Sequence, residues 1–115
     1  MTFDMFSPSD KFTANDDKIF VFSFRDRCLE MYNTPIFVRS YDDLVRSLRM
    51  EFQDVTNSGA VFKSPFWSAP EDYTLYYLGD FDPDTGSISP VDSPSREIVF
   101  CLDEILGVQK NEVSK

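Results

Sequence analysis

The run Ile19-Phe20-Val21-Phe22-Ser23-Phe24 limits the possible folds more than any other stretch of the chain. In an extended backbone successive side chains point to opposite sides, so Phe20, Phe22 and Phe24 face one way and Ile19 and Val21 the other. Its residues favour strands, and the charges of Lys18 and Arg25 bound it, so a β-strand is expected over 18–25. A strand with bulky residues on both faces belongs inside a sheet and requires two covers.

The rest of the chain supplies one such cover plainly. Asp26-Arg27 turns the backbone, and residues 29–32 and 36–38 are expected to return antiparallel. Pro35 interrupts that return, because proline removes a ladder donor. Ser40-Tyr41-Asp42-Asp43 is a capping box, and Leu44, Val45, Leu48, Phe52 and Val55 follow at helical spacing. This predicts an amphipathic helix ending near Val55, with Asp42, Arg46, Arg49, Met50 and Gln53 outward. Residues 60–72, with Pro65, Phe66, Trp67 and Pro70, suggest an extended connection. A second strand is expected over 73–78, with Tyr73, Leu75 and Tyr77 on one face and Thr74, Tyr76 and Leu78 on the other. Asp82-Pro83-Asp84-Thr85-Gly86 forms a turn, since proline presets φ and glycine permits positive φ. A weak strand over 87–89, a strong one over 96–102 and a short helix over 103–108 complete the order ββαβββ. The expected class is α+β: an antiparallel sheet of four to five strands with one main amphipathic helix on one face. Residues 18–108 make a single domain, 1–17 a flexible arm whose isolated Phe3, Phe6 and Phe12 could dock on it, and 109–115 a polar tail. The second sheet face then calls for the docked arm or a homodimer.

Composition excludes several chemistries. With 12 Phe, 5 Tyr and 1 Trp among 115 residues, the chain has material for a core and is not a disordered protein. It has no His, which removes the usual near-neutral base and the commonest metal ligand. Cys28 and Cys101 lie far apart and suit free thiols in a reducing compartment rather than a zinc site. The four glycines are scattered, so there is no phosphate-cradling loop. Asp80-x-Asp82-x-Asp84 hints at calcium, but an EF-hand loop needs Gly and Glu where Thr85 and Val91 stand. No metal, cofactor or catalysis is expected. The N-terminal residues do not resemble a signal peptide, and the longest apolar run, 98–102, falls far short of the ~20 residues of a membrane span. A soluble protein of the cytoplasm is expected, with no membrane partner.

The net charge of −9 hides an uneven distribution. Residues 18–49 carry six basic and four acidic side chains, whereas residues 66–115 carry three basic and ten acidic ones. The first half therefore combines arginine with aromatic rings, the pairing that binds single-stranded nucleic acid through phosphate contacts and base stacking. The candidate binding residues are Arg25, Arg27, Arg39, Arg46 and Arg49, as one basic rim, with Tyr76 and Tyr77 as stacking rings. The plain alternative is that Arg46 and its neighbours form ordinary surface pairs with acids such as Asp42. Most of the phenylalanines belong to the core in either case.

Two segments carry a resemblance. Tyr32-Asn33-Thr34-Pro35-Ile36-Phe37-Val38-Arg39, followed by the capped helix, and then Pro70-Glu71-Asp72-Tyr73-Thr74-Leu75-Tyr76-Tyr77-Leu78-Gly79-Asp80-Phe81-Asp82 with Asp84-Thr85-Gly86, resemble the small nonstructural protein of gokushoviruses. These are Microviridae, tailless bacteriophages with single-stranded DNA genomes. The likeness spans roughly residues 17–105. It implies a non-catalytic DNA-binding protein of the host cytoplasm that favours single-stranded DNA and acts in viral DNA replication or the switch to DNA packaging. No binding residues are carried over from the family. A second possibility is a protein–protein module contacting the phage replication protein, the procapsid or a host factor through the acidic half. A third, a DNA mimic, needs a long row of surface acids that the arginine-bearing half interrupts.

Overall fold

The computed structural model describes residues 8–14, 18–91 and 97–107. Its strands are β1 (Ile19–Asp26), β2 (Met31–Tyr32), β3 (Ile36–Val38), β4 (Tyr73–Phe81), β5 (Ile88–Pro90) and β6 (Glu97–Cys101). Its α-helices are α1 (Pro8–Lys11), α2 (Tyr41–Asn57), α3 (Pro65–Ser68) and α4 (Leu102–Leu106). All six strands join one antiparallel sheet, so the protein is α+β with one main helix.

β1 and β4 form the centre of the sheet, paired from Ile19 opposite Phe81 to Asp26 opposite Tyr73. β2 and β3 share the far side of β1, and β5 and β6 share the far side of β4. The sheet is thus four lanes wide with both outer lanes broken. Pro35 sits in the gap between β2 and β3, where its missing donor costs no ladder bond.

The pairing of β1 with β4 slips by one residue. Phe22 faces Tyr77 and Val21 faces Gly79, which leaves Leu78 extra, a β-bulge. Tyr77 therefore stays on the helix side, and Phe81 moves to the opposite side beside Ile19. Gly79 suits this bend, because its backbone runs so close to β5 that a Cβ would lie 2.3 Å from the Ser89 carbonyl oxygen.

Packing on the helix side follows from the sequence periodicity. The Ser40 hydroxyl accepts from the Asp43 N–H at 3.1 Å and starts α2, which buries Tyr41, Leu44 and Leu48. These meet Phe20, Phe22 and Phe24 of β1, Tyr73 and Leu75 of β4, and Leu102 and Ile105 of α4 in one core.

One expectation is corrected, and one of two alternatives for the arm is met in part. Residues 60–72 are not extended: they form a 3₁₀ turn over Ala60–Lys63, α3, and a second 3₁₀ turn over Pro70–Asp72. Ser64 caps α3 by accepting from the Phe66 N–H, and Pro65 takes the first helical position, where it has no donor to lose. Phe66 is thereby set edge-on to both Phe24 and Tyr73, each at 5.1 Å between ring centres.

The arm is also not free throughout. Phe12 is buried and lies edge-on to Phe20 and Phe22, and its carbonyl accepts from the Tyr41 N–H at 2.9 Å. It docks on the helix side, so it does not cover the second face. Residues 1–7 and 15–17 of the expected arm, Arg96 of the expected last strand, and the tail at 109–115 lie outside the described residues.

Candidate functional site

The sheet face opposite α2 gathers the distinctive side chains. On β1 it presents half-buried Ile19 and Arg25 and buried Val21 and Ser23, none of which belongs to the core shared with the helices. Two aromatic pairs bridge β1 on this face. Tyr32 of β2 meets Tyr76 of β4 edge-on at 5.5 Å, and Phe37 of β3 meets Phe81 of β4 edge-on at 5.7 Å. Ser23 is small and fully buried, and its hydroxyl donates to the Asn33 carbonyl at 2.6 Å, fixing the chain just after Tyr32. Arg25 faces Tyr32 across the β1–β2 register, with its guanidinium 5.9 Å from the ring centre. Tyr32 and Phe37 keep 36% and 49% of their surface exposed, so their rings can receive a ligand.

The other sequence candidates lie elsewhere. Arg27, in the turn after β1, is ion-paired with Asp72, and that hydrogen bond raises its pKa further. Arg39 follows β3, is exposed, and has no ion-pair partner among the described residues. Arg46 pairs at 2.7 Å with Asp43 on α2, not with Asp42. Arg49 donates its Nε–H to the Ile105 carbonyl at 2.9 Å and so ties α2 to α4. Since α2 packs on the helix side and Arg25 projects from the other, the five arginines do not form one rim. Tyr77 differs from its neighbour Tyr76: its ring packs against Phe12 and Phe22, and its hydroxyl donates to Asp80. Of the seven candidates, Arg25 and Tyr76 share the open face. Tyr32 and Phe37 join them without having been singled out. Their pairing opposite Arg25 and Val21 of β1 is what places them on this face.

The thiols are unsuited to nucleophilic work. Burial pushes Cys101 up to about 11, and its Sγ lies 3.3 Å from the Glu71 carbonyl oxygen. Cys28 is exposed, but a hydrogen bond to Asp72 raises its pKa as well. Among the described residues no three His, Cys, Asp or Glu side chains come together as a metal site, and no helix is long and apolar enough to cross a membrane.

An antiparallel sheet with its helices on one side and an arginine–tyrosine cluster on the other defines an open-faced α+β protein. The sequence model of the Phage ORF5 protein family matches residues 19–105, and the chain belongs to this family of phage proteins. The match begins with β1 and ends in α4, so the docked Phe12 lies outside it. No curated protein and no solved structure matches the chain.

Proposed function

We propose that this phage protein binds single-stranded DNA on the open face of its sheet, without catalysis, in the host cytoplasm during genome replication or the switch to packaging. The cluster of Arg25, Tyr32 and Tyr76 carries this reading. Bases stack on exposed rings while a guanidinium holds the phosphate between them, and stacking tolerates any base because every base has a flat face. Arg39, beyond β3, adds a second phosphate contact past the Phe37–Phe81 pair. The gokushovirus resemblance of residues 32–39 and 70–86 supports the same function. The overall charge of −9 opposes DNA at long range, but screening over ~8 Å lets a local cation act.

A second reading follows from the apolar end of the open face, where Phe37 and Ile88 are 49% and 56% exposed. That patch suits a protein partner: a second copy in a homodimer, the replication protein, the procapsid or a host factor. Fluorescence anisotropy with labelled single-stranded and duplex oligonucleotides separates the two. Preference for the single strand, lost in the Arg25→Ala/Tyr76→Ala variant, supports DNA binding. Absence of binding at low salt removes it in favour of the protein partner.

A further inference from the structure

Beside the β2 edge of the open face lies a groove between the sheet and the helices. Tyr32 of β2, Glu51 of α2, Phe66 and Trp67 of α3 and the almost fully buried Phe24 of β1 are among its lining residues. Its volume, ≈ 560 Å³, falls in the ordinary range of small-ligand sites. Tyr32 is shared: its ring meets Tyr76 on the open face, and the residue also lines the groove. The groove therefore adjoins the Tyr76–Tyr32 platform.

The lining has a marked polarity. Phe66 and Trp67 stand nearly perpendicular, at 83° with centres 4.7 Å apart, so a flat ring stacked on one points its edge at the other. Glu51 has no hydrogen-bond or ion-pair partner among the described residues. A carboxylate repels phosphate but accepts N–H donors through two oxygens. The pairing edge of guanine offers two adjacent donors, N1–H and N2–H. Thymine offers one donor between two carbonyl oxygens, and adenine and cytosine each offer an amine beside a ring-nitrogen acceptor. With Arg25 on the sheet and Glu51 at the exposed rim of the groove, the charges match a nucleotide whose phosphate stays on the sheet and whose donor edge turns toward α2.

We propose that this groove is a guanine pocket that takes one base of the bound strand, stacked on the Phe66–Trp67 corner and held by Glu51. The proposal rests on the reading of the open face as a single-strand surface. Recognition of a splayed base by stacking plus its pairing edge is the usual route to sequence preference in single strands.

Trp67 is the single tryptophan, so its emission reports on the groove alone. The full chain is titrated with a twelve-residue oligothymidylate, with the same oligomer carrying one central deoxyguanosine, and with versions carrying deoxyinosine, deoxyadenosine or deoxycytidine. One guanine is expected to tighten binding about tenfold and quench Trp67. Inosine, which lacks the N2 amine, loses most of that gain. Glu51→Gln, at an exposed helical position that tolerates the change, abolishes the advantage of the guanine oligomer over oligothymidylate. Oligothymidylate binding with no advantage for guanine overturns the pocket and leaves the single-strand reading intact. An equal gain from adenine or cytosine, or a gain that survives in Glu51→Gln, overturns the guanine assignment. Failure of every oligomer to bind overturns both.

Discussion

The Nε–H of Arg49 points at the carbonyl of Ile105, 2.9 Å away in the last turn of α4. A cation there satisfies a carbonyl that the short helix cannot use and opposes the negative end of its dipole. Arg49→Ala should therefore lower stability by about 1–2 kcal/mol. Arg46→Ala removes only an exposed pair with Asp43 and should cost no more than about 0.5 kcal/mol. Thermal denaturation of the two variants side by side checks this. Neither should alter affinity for single-stranded DNA, because both lie on the helix side of the sheet.

Binding should instead respond to the open face. Tyr76→Ala is expected to weaken single-strand binding by ~1–3 kcal/mol through lost stacking. Arg25→Ala should reduce the slope of log K against log salt by about 0.7, the share of one phosphate contact on a single strand. Titrations at several salt concentrations distinguish the two effects, since the tyrosine change should leave the slope alone.

Phe12 closes the core from outside the family-matched range. Phe12→Ala should cost about 3 kcal/mol or more, because the ring is buried against Phe20, Phe22 and Tyr77. A chain starting at residue 15 should show a comparable loss in urea denaturation. Equal midpoints for the shortened and full chains would contradict the docking.

At Gly79, alanine should break the sheet locally. Its Cβ would stand 2.3 Å from the Ser89 carbonyl oxygen and 2.9 Å from Pro90 Cα, both backbone atoms. The loss is expected to reach at least about 2 kcal/mol, with faster amide exchange in β4 and β5 than in α2. Gly86→Ala, where nothing lies within 4 Å of an added Cβ, serves as the comparison for φ alone.

High pH should destabilise the protein most strongly through Tyr41 and Cys101. Burial pushes Tyr41 up to about 12 and Cys101 to about 11, both above their ordinary values of 10.0 and 9.0. A raised folded pKa means that the neutral form is favoured in the native state. The stability contributed is complete below the unfolded pKa and is lost as pH rises through the folded one. Loss should begin above pH 9 with Cys101 and continue from pH 10 to 12 with Tyr41. Circular dichroism against pH should show the upper part of this loss flattened in Tyr41→Phe.

The sequence foretold the elements whose periodicity is long. β1 and α2 repeat their pattern over enough residues that local chemistry and burial agree, and the helix runs only two residues past Val55. Short elements were less visible. α3 is a single turn whose aromatic residues and prolines resemble an anchored loop, and Phe12 is one apolar residue in polar surroundings. The site was half legible because strand faces depend on register. Simple alternation places Phe81 with Tyr77, yet the extra Leu78 sends Phe81 to the far side with Phe37. In the same way, Arg49 looks free on a helical wheel and is engaged by an element 56 positions away.

The central position of the β1–β4 pair bears on how the chain is made. Residues 27–72 separate these strands, so during synthesis Phe20, Phe22 and Phe24 must await β4 before the middle of the sheet can seal. At roughly 5–20 residues per second, that interval lasts several seconds. Through it, β2, β3 and α2 offer the nascent strand a provisional shelter on one edge and one side. The ribosome thus delivers one half of the sheet first, and β5 and β6, which pair with β4 alone, come only with the second half.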